Sequence, residues 1–228
     1  MDGVSLASGY DWNGKRRVLL IILDGWGIGR QDENNPIFLA ETPVWNELLH
    51  RYPNSRLQAS GEAVGLQKSK TGNSEAGHMN IGAGRIVPQD DVRLDMAMQD
   101  GSFYTNETFL RIIEDVKQRS TNLHLIALLT EKSSHGSIDY PLALLRMAKE
   151  RGLEQVNVHI IFDGRSTEPG SAPALLEKFE AQMDEIGIGQ IVSGVGRGIA
   201  LDRDGNYAKT RRAFDAFVFG EGRKTVLE

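Results

Sequence analysis

Residues 17–23, Arg-Val-Leu-Leu-Ile-Ile-Leu, form a continuous apolar run that stops at Asp24-Gly25. An apolar run of that length without polar alternation predicts a strand buried on both faces. Small and polar residues follow until residues 42–49, where Thr42 as N-cap and Pro43 at the first helical position predict a short helix. Residues 57–85 are rich in glycine and small polar side chains, which predicts structured loops with at most short elements, a place where backbone meets ligand. The texture changes near residues 87–89, and a domain crossing is expected there.

Beyond the crossing the two periods alternate. Phe109, Ile112, Ile113 and Val116 share one helical face, and residues 123–129 predict a strand. Leu142, Leu145 and Ala148 predict a helix opened by Pro141, and residues 156–162 a second strand. Leu175, Leu176, Phe179, Met183 and Ile186 predict another helix, residues 191–193 a short strand, and Tyr207, Arg211, Phe214 and Val218 a last helical stripe. Helix and strand in turn imply βαβ units and a mainly parallel sheet, so the fold class is α/β. The organisation expected is a loose polar leader over residues 1–16, a first segment over 17–88 and a second over 89–228.

Composition narrows the chemistry. The 228 residues include no cysteine, which excludes disulfide scaffolds, thiolate metal sites and thiol catalysis. Charges balance over residues 1–88, and residues 89–228 carry the whole net charge of -5. Neither part is basic enough to bind nucleic acid through its field alone. The longest apolar run is far too short to cross a bilayer, and residues 1–17 have no apolar core of a secretory signal, so no membrane partner is expected.

Candidate chemistry gathers in three places. Asp24 directly follows the first apolar run, where a carboxylate at a strand's carboxyl end can hold a divalent cation or simply shape a turn before Gly25. Ser74 lies in Thr71-Gly72-Asn73-Ser74-Glu75-Ala76-Gly77-His78. It reads either as a nucleophile bathed in backbone N–H donors or as a plain N-cap. His78 fits a supporting role better than that of a base. The third set follows three successive predicted strands: His135 after the first, Arg165 after the second and Arg197 after the third, with Arg203 close behind. In parallel neighbours these side chains converge on one edge, and forked guanidinium donors suit a carboxylate or phosphate. His50, His124 and His159 take no role in this reading.

Six motifs occur in order: Leu23-Asp24-Gly25-Trp26-Gly27; Ala59-Ser60-Gly61-Glu62-Ala63-Val64-Gly65-Leu66; Gly72-Asn73-Ser74-Glu75-Ala76-Gly77-His78; Asn80-Ile81-Gly82-Ala83-Gly84-Arg85; Asp100-Gly101-Ser102-Phe103; and Asp163-Gly164-Arg165. Together they resemble the N-terminal part of the cofactor-independent phosphoglycerate mutases. The resemblance implies that residues 17–88 are the first segment of an alkaline-phosphatase-like domain, and that an inserted substrate domain begins near Gln89 and is incomplete at its C-terminus. It implies that Ser74 becomes phosphorylated and that Asp24 and Ser74 bind one of two divalent ions, manganese or magnesium. His135, Arg165, Arg197 and Arg203 would grip phosphoglycerate as 3- and 2-phosphoglycerate interconvert. It further implies a cytoplasmic, glycolytic enzyme whose other metal ligands come from a C-terminal half, continuing or separate.

Two positions depart from the family pattern. Ser166 stands where the family carries an aspartate after Asp-Gly-Arg, and Ser137 stands where it carries a second histidine beyond His135. Two other readings therefore remain open beside the mutase: a non-enzymatic anion-binding remnant of the family, and a phosphohydrolase of the same superfamily. The phosphohydrolase would need Asp24 and Ser74 but not the cationic set.

Overall fold

In the computed structural model, residues 18–133 and 135–223 are described. The expected leader, residue 17 and the last five residues lie outside them. The helices in chain order are α1 (Pro36–Leu39), α2 (Pro43–Arg51), α3 (Ser74–Ala83), α4 (Asp90–Asp100), α5 (Glu107–Arg119), α6 (Asp139–Glu150), α7 (Ala172–Ile186), α8 (Arg197–Ala200) and α9 (Tyr207–Phe219). Tighter single turns occupy Gly61–Val64 and Ser102–Thr105. The strands are β1 (Leu123–Leu129), β2 (Val156–Phe162) and β3 (Gln190–Gly196), and they form one sheet in the order β1-β2-β3.

Both strand pairs are parallel. Each parallel connection must climb back over the sheet, and α6 and α7 make those crossovers. Leu125, Ala127 and Leu129 lie beside Val158, Ile160 and Phe162 in register, so one face carries nothing but apolar side chains. Against it pack Leu142, Leu145 and Ala148 of α6, Phe179 and Met183 of α7, and Ile113 of α5. Full burial of each large side chain here is worth about 1.5–3 kcal/mol. The α5 helix starts cleanly because Asn106 Oδ1 accepts the N–H groups of Thr108 and Phe109 at 3.0 and 3.2 Å. Lys117 and Arg119 sit in its last turn, where cations oppose the helix dipole.

The other face of the sheet is polar at its centre. His124 Nδ1 meets His159 Nε2 at 2.9 Å, and His159 Nδ1 meets Ser193 Oγ at 2.7 Å, so a hydrogen-bonded row crosses all three strands. The two imidazoles stack, and Phe217 of α9 stands edge-on to His159 with centroids 5.2 Å apart. These histidines lie within strands and are satisfied by one another and by Ser193. A register shift between Val158 and His159 brings Ser193 opposite His159.

Residues 18–23 correct an expectation. They form no strand, and Val18 and Leu19 are 92% and 84% exposed. A parallel strand takes its hydrogen bonds from neighbours, and among the described residues β1, β2 and β3 pair only with each other. An apolar run can specify a buried strand only where a sheet exists to receive it.

Other boundaries differ: α2 runs on to Arg51, two residues past the expected end, and α6 starts at Asp139, two residues before Pro141. Residues 57–85 hold more than loops, because Asn73 caps the ten-residue helix α3. Helix α4 begins directly after the expected crossing, and β3 runs four residues beyond 191–193 in total. At that crossing Gly65 accepts the N–H of Gln89 at 2.8 Å. A Cβ on Gly65 would lie 2.0 Å from the Val87 carbonyl oxygen, so only glycine lets the two backbones meet.

Candidate active site

Ser74 is the first residue of α3, and its neighbour Asn73 is the cap: Asn73 Oδ1 accepts the Ala76 N–H at 2.8 Å. The capping alternative for Ser74 is thereby removed, and its hydroxyl is left for other work at the positive end of the helix. Gly72 makes this start possible. A Cβ there would stand 1.8 Å from the Ala59 carbonyl oxygen, so the 57–60 backbone and the Ser74 loop can touch only through glycine.

Asp24 reaches the same point from fifty residues away. The turn that carries it closes with the Trp26 N–H donating to the Leu23 carbonyl at 2.9 Å, and Trp26 packs edge-on against Trp45 of α2. Ser74 Oγ donates to Asp24 Oδ2 at 2.6 Å. His78, one turn along α3, places Nδ1 2.9 Å from the Ser74 carbonyl oxygen and 3.3 Å from its hydroxyl. A carbonyl only accepts, so Nδ1 bears the proton and donates to it. The Ser74 hydroxyl therefore directs its hydrogen to Asp24, and His78 Nδ1 is engaged by the Ser74 carbonyl.

The two oxygens of this pair are exposed and of the hard type that magnesium and manganese prefer, so they fit a divalent ion as two of its ligands. Among the described residues, no group of three or more His, Asp and Glu side chains gathers as a metal site.

The cationic set sits at aligned strand ends. Leu129 pairs with Phe162, and Phe162 with Gly196, so the three strands finish level. His135 follows β1 in a tight turn: the Ser133 N–H donates to the Gly136 carbonyl at 2.9 Å and the His135 N–H to Ser133 Oγ at 3.2 Å. Ser137 is buried, donates to the Glu131 carbonyl at 2.7 Å and accepts the Asp139 N–H at 3.2 Å, so it pins the loop into α6. Arg165 follows β2 and is exposed. Arg197 follows β3, opens α8, and pairs with Asp163. Arg203 is exposed in the loop before α9, next to Asp202, which accepts the Asn206 N–H at 2.9 Å and pairs with Lys209. No described hydrogen bond joins this set to Ser74.

Asp163 belongs to the Asp163-Gly164-Arg165 motif, where the sequence alone gives it no role. It is 2% exposed, and burial alone would raise its carboxyl. Arg197 and the Ser166 N–H outweigh burial and hold it below the ordinary 3.8. The signal was available: a carboxylate directly after a strand that ends in Ile160, Ile161 and Phe162 starts at the edge of the core. A second unforeseen cluster bridges the Ser74 segment and the His135 loop. Asp95 accepts from Gln67 at 3.0 Å and pairs with Lys132 at 2.7 Å, while Lys70 donates to the Lys132 carbonyl at 3.2 Å. Tyr140 donates to Asp95 at 3.3 Å, and burial, followed by the Asp95 charge, pushes its phenol well above the usual range.

Residues 94–228 match the family described as BPG-independent PGAM N-terminus. The chain is 41% identical to the 2,3-bisphosphoglycerate-independent phosphoglycerate mutase of Clostridium perfringens, over 92% of this chain and 41% of that protein. It is 44% identical to the protein of the same name from Moorella thermoacetica, over 92% of this chain and 41% of that protein. A solved structure of Leishmania mexicana phosphoglycerate mutase at low cobalt concentration superposes with a TM-score of 0.75 at 30% identity. That match covers 89% of this chain and 38% of the solved one. The chain thus spans about 41% of the length of the curated relatives it matches. Among the described residues no helix is long and apolar enough to cross a membrane.

Proposed function

The chain belongs to the BPG-independent phosphoglycerate mutase family, as its N-terminal part, and from this we propose that it supplies the nucleophile and the substrate grip of a reaction that interconverts 3-phosphoglycerate and 2-phosphoglycerate. The observation that carries the reading is the 2.6 Å hydrogen bond from Ser74 Oγ to Asp24 at the start of α3. It aims a hydroxyl oxygen out of a helix N-terminus, where the aligned N–H groups favour the negative charge of a phosphoserine.

In this reading Ser74 Oγ gives up its proton and forms a bond to phosphorus as the bond from phosphorus to the glycerate C3 oxygen breaks, and the departing glycerate oxygen takes up a proton in its place. Glycerate then turns, its C2 hydroxyl gives up its proton and attacks the phosphoserine, and the Ser74 oxygen leaves and is protonated again. His135, Arg165, Arg197 and Arg203 hold the anionic glycerate through the turn, which keeps water from taking its place. Asp24 Oδ2 orients the hydroxyl and carries its hydrogen bond. Asp24 and Ser74 would also hold a divalent ion, manganese or magnesium, and that ion when bound supplies a lowered hydroxyl pKa and charge neutralisation. Its other ligands, and those of the family's second ion, belong to the C-terminal part that the relatives carry. The division into a phosphatase-like segment over residues 17–88 and a substrate segment over 89–228, and the cytoplasmic, glycolytic setting, are parts of the same proposal.

Mass spectrometry tests it. The chain is supplemented with the C-terminal part of a relative and incubated with 3-phosphoglycerate and manganese. The peptide containing Ser74 is expected to gain one phosphoryl group, and Ser74→Ala to lose both the phosphoryl group and turnover in a coupled enolase assay. Undiminished turnover of Ser74→Ala would overturn the reading.

A further inference from the structure

We infer that Asp163 is the positioning residue of the anion grip: its single buried carboxylate sets Arg197 from one oxygen and the turn that presents Arg165 from the other. The inference rests on the grip proposed above and adds the device that organises it. Asp163 comes one residue after β2 ends, and Arg197 one residue after β3 ends, at the level where Phe162 and Gly196 pair. Asp163 Oδ1 accepts from Arg197 Nη1, and Oδ2 accepts the Ser166 N–H at 3.0 Å. The second bond folds residues 163–166 back on themselves and leaves exposed Arg165 at the outside of the turn, and Thr167 Oγ1 takes the Gly164 N–H at 3.1 Å to close it.

Burial makes this arrangement stiff. The Asp163 side chain is wholly buried, while the Arg197 side chain is 25% exposed. A guanidinium has five donors in a fixed fork, so a pairing through Nη1 sets the plane of the remaining donors. The carboxylate is itself locked by the Ser166 N–H. Arg197 is thus pre-oriented, and a bound anion need not order it. The charge of Asp163 opposes an anion nearby, so simple electrostatics and positioning predict opposite signs for its neutralisation.

Calorimetry of 3-phosphoglycerate binding to the 228-residue chain separates them, with three variants checked for matched folding: Asp163→Asn, Arg197→Lys, and the double variant Asp163→Asn/Arg197→Gln, which removes both charges together. Positioning predicts that Asp163→Asn binds about tenfold or more weaker, close to the double variant, as expected for loss of one oriented charge-assisted contact. It also predicts loss of the protected Arg197 guanidinium N–H resonance in nitrogen-resolved NMR. Where Asp163→Asn does not melt cooperatively, Arg197→Lys decides: it keeps the charge and loses the fork, and the same weakening is expected. Equal or tighter binding by Asp163→Asn, or by Arg197→Lys when it is the deciding variant, with the double variant weakened, overturns this inference and leaves the grip standing. No binding by the unmodified chain, or unchanged binding by the double variant, removes the grip itself and the inference with it.

Discussion

Asp163 and Arg197 share one ion pair from unequal depths: the carboxylate is fully enclosed, whereas a quarter of the arginine side chain, 25%, meets solvent. The inequality has an energetic consequence. When Asp163 loses its charge, Arg197 can swing its head into water. When Arg197 is removed, a carboxylate is left in the core with only the Ser166 N–H for company. Arg197→Met should therefore destabilise the chain by about 3–5 kcal/mol, the cost of an uncompensated buried charge, and Asp163→Asn by about 1–2 kcal/mol. Urea unfolding of both variants measures the difference, and the reverse order would contradict the geometry.

Arg165 gives the opposite profile. It is exposed, and among the described residues it pairs with no carboxylate. Arg165→Ala should leave stability within about 0.5 kcal/mol, as for ordinary surface positions. It should weaken 3-phosphoglycerate binding by about 1.5–3 kcal/mol, the range of charge-assisted hydrogen bonds. A melting curve and a titration on the same sample check both halves.

The row of His124, His159 and Ser193 predicts a pH dependence. Burial, and then the neighbouring His124, lower the His159 pKa from its ordinary 6.5. The unfolded chain consequently binds more protons than the folded one just below that value, and stability falls as pH drops through 6.5 toward the folded pKa. The slope from this residue cannot exceed about 1.4 kcal/mol per pH unit, the limit for one proton. His159→Gln should flatten the dependence of melting temperature on pH between neutral and mildly acidic conditions. An unchanged slope would locate the linkage elsewhere.

Asp24 and Ser74 offer a cation two oxygens. Manganese binding by the 228 residues alone should be weak, because two oxygens fall far short of the full set that a hard divalent cation takes. Asp24→Ala should abolish it in a paramagnetic titration, while Asp95→Ala, in the Lys132 cluster, should not. Equal losses in the two variants would move the cation away from Ser74.

Particular elements show what could be read in advance. Strands β1 and β2 were legible to the residue, because seven-residue segments dominated by aliphatic side chains between helical stripes have one consistent interpretation. Helix α4 was not. Val92, Leu94, Met96 and Met98 alternate as a strand would, and only packing of Leu94, Ala97 and Met98 against the core reveals a helical face. The Ser74 motif was legible as chemistry, whereas the helix behind it was hidden by its glycines, which weaken every local helix signal.

The order of residues along the chain determined the family, the parallel α/β class, and the identity of the candidate groups Asp24, Ser74, His135, Arg165, Arg197 and Arg203, since motif and period are local properties of a sequence. Contact between Ser74 and Asp24, the pairing of Arg197 with Asp163, and the exposure of residues 18–23 were decided in three dimensions. Each depends on what lies beside a residue across many intervening positions. Hydrogen bonds, ion pairs and burial act through space over a few ångströms, and distance along the chain does not encode them.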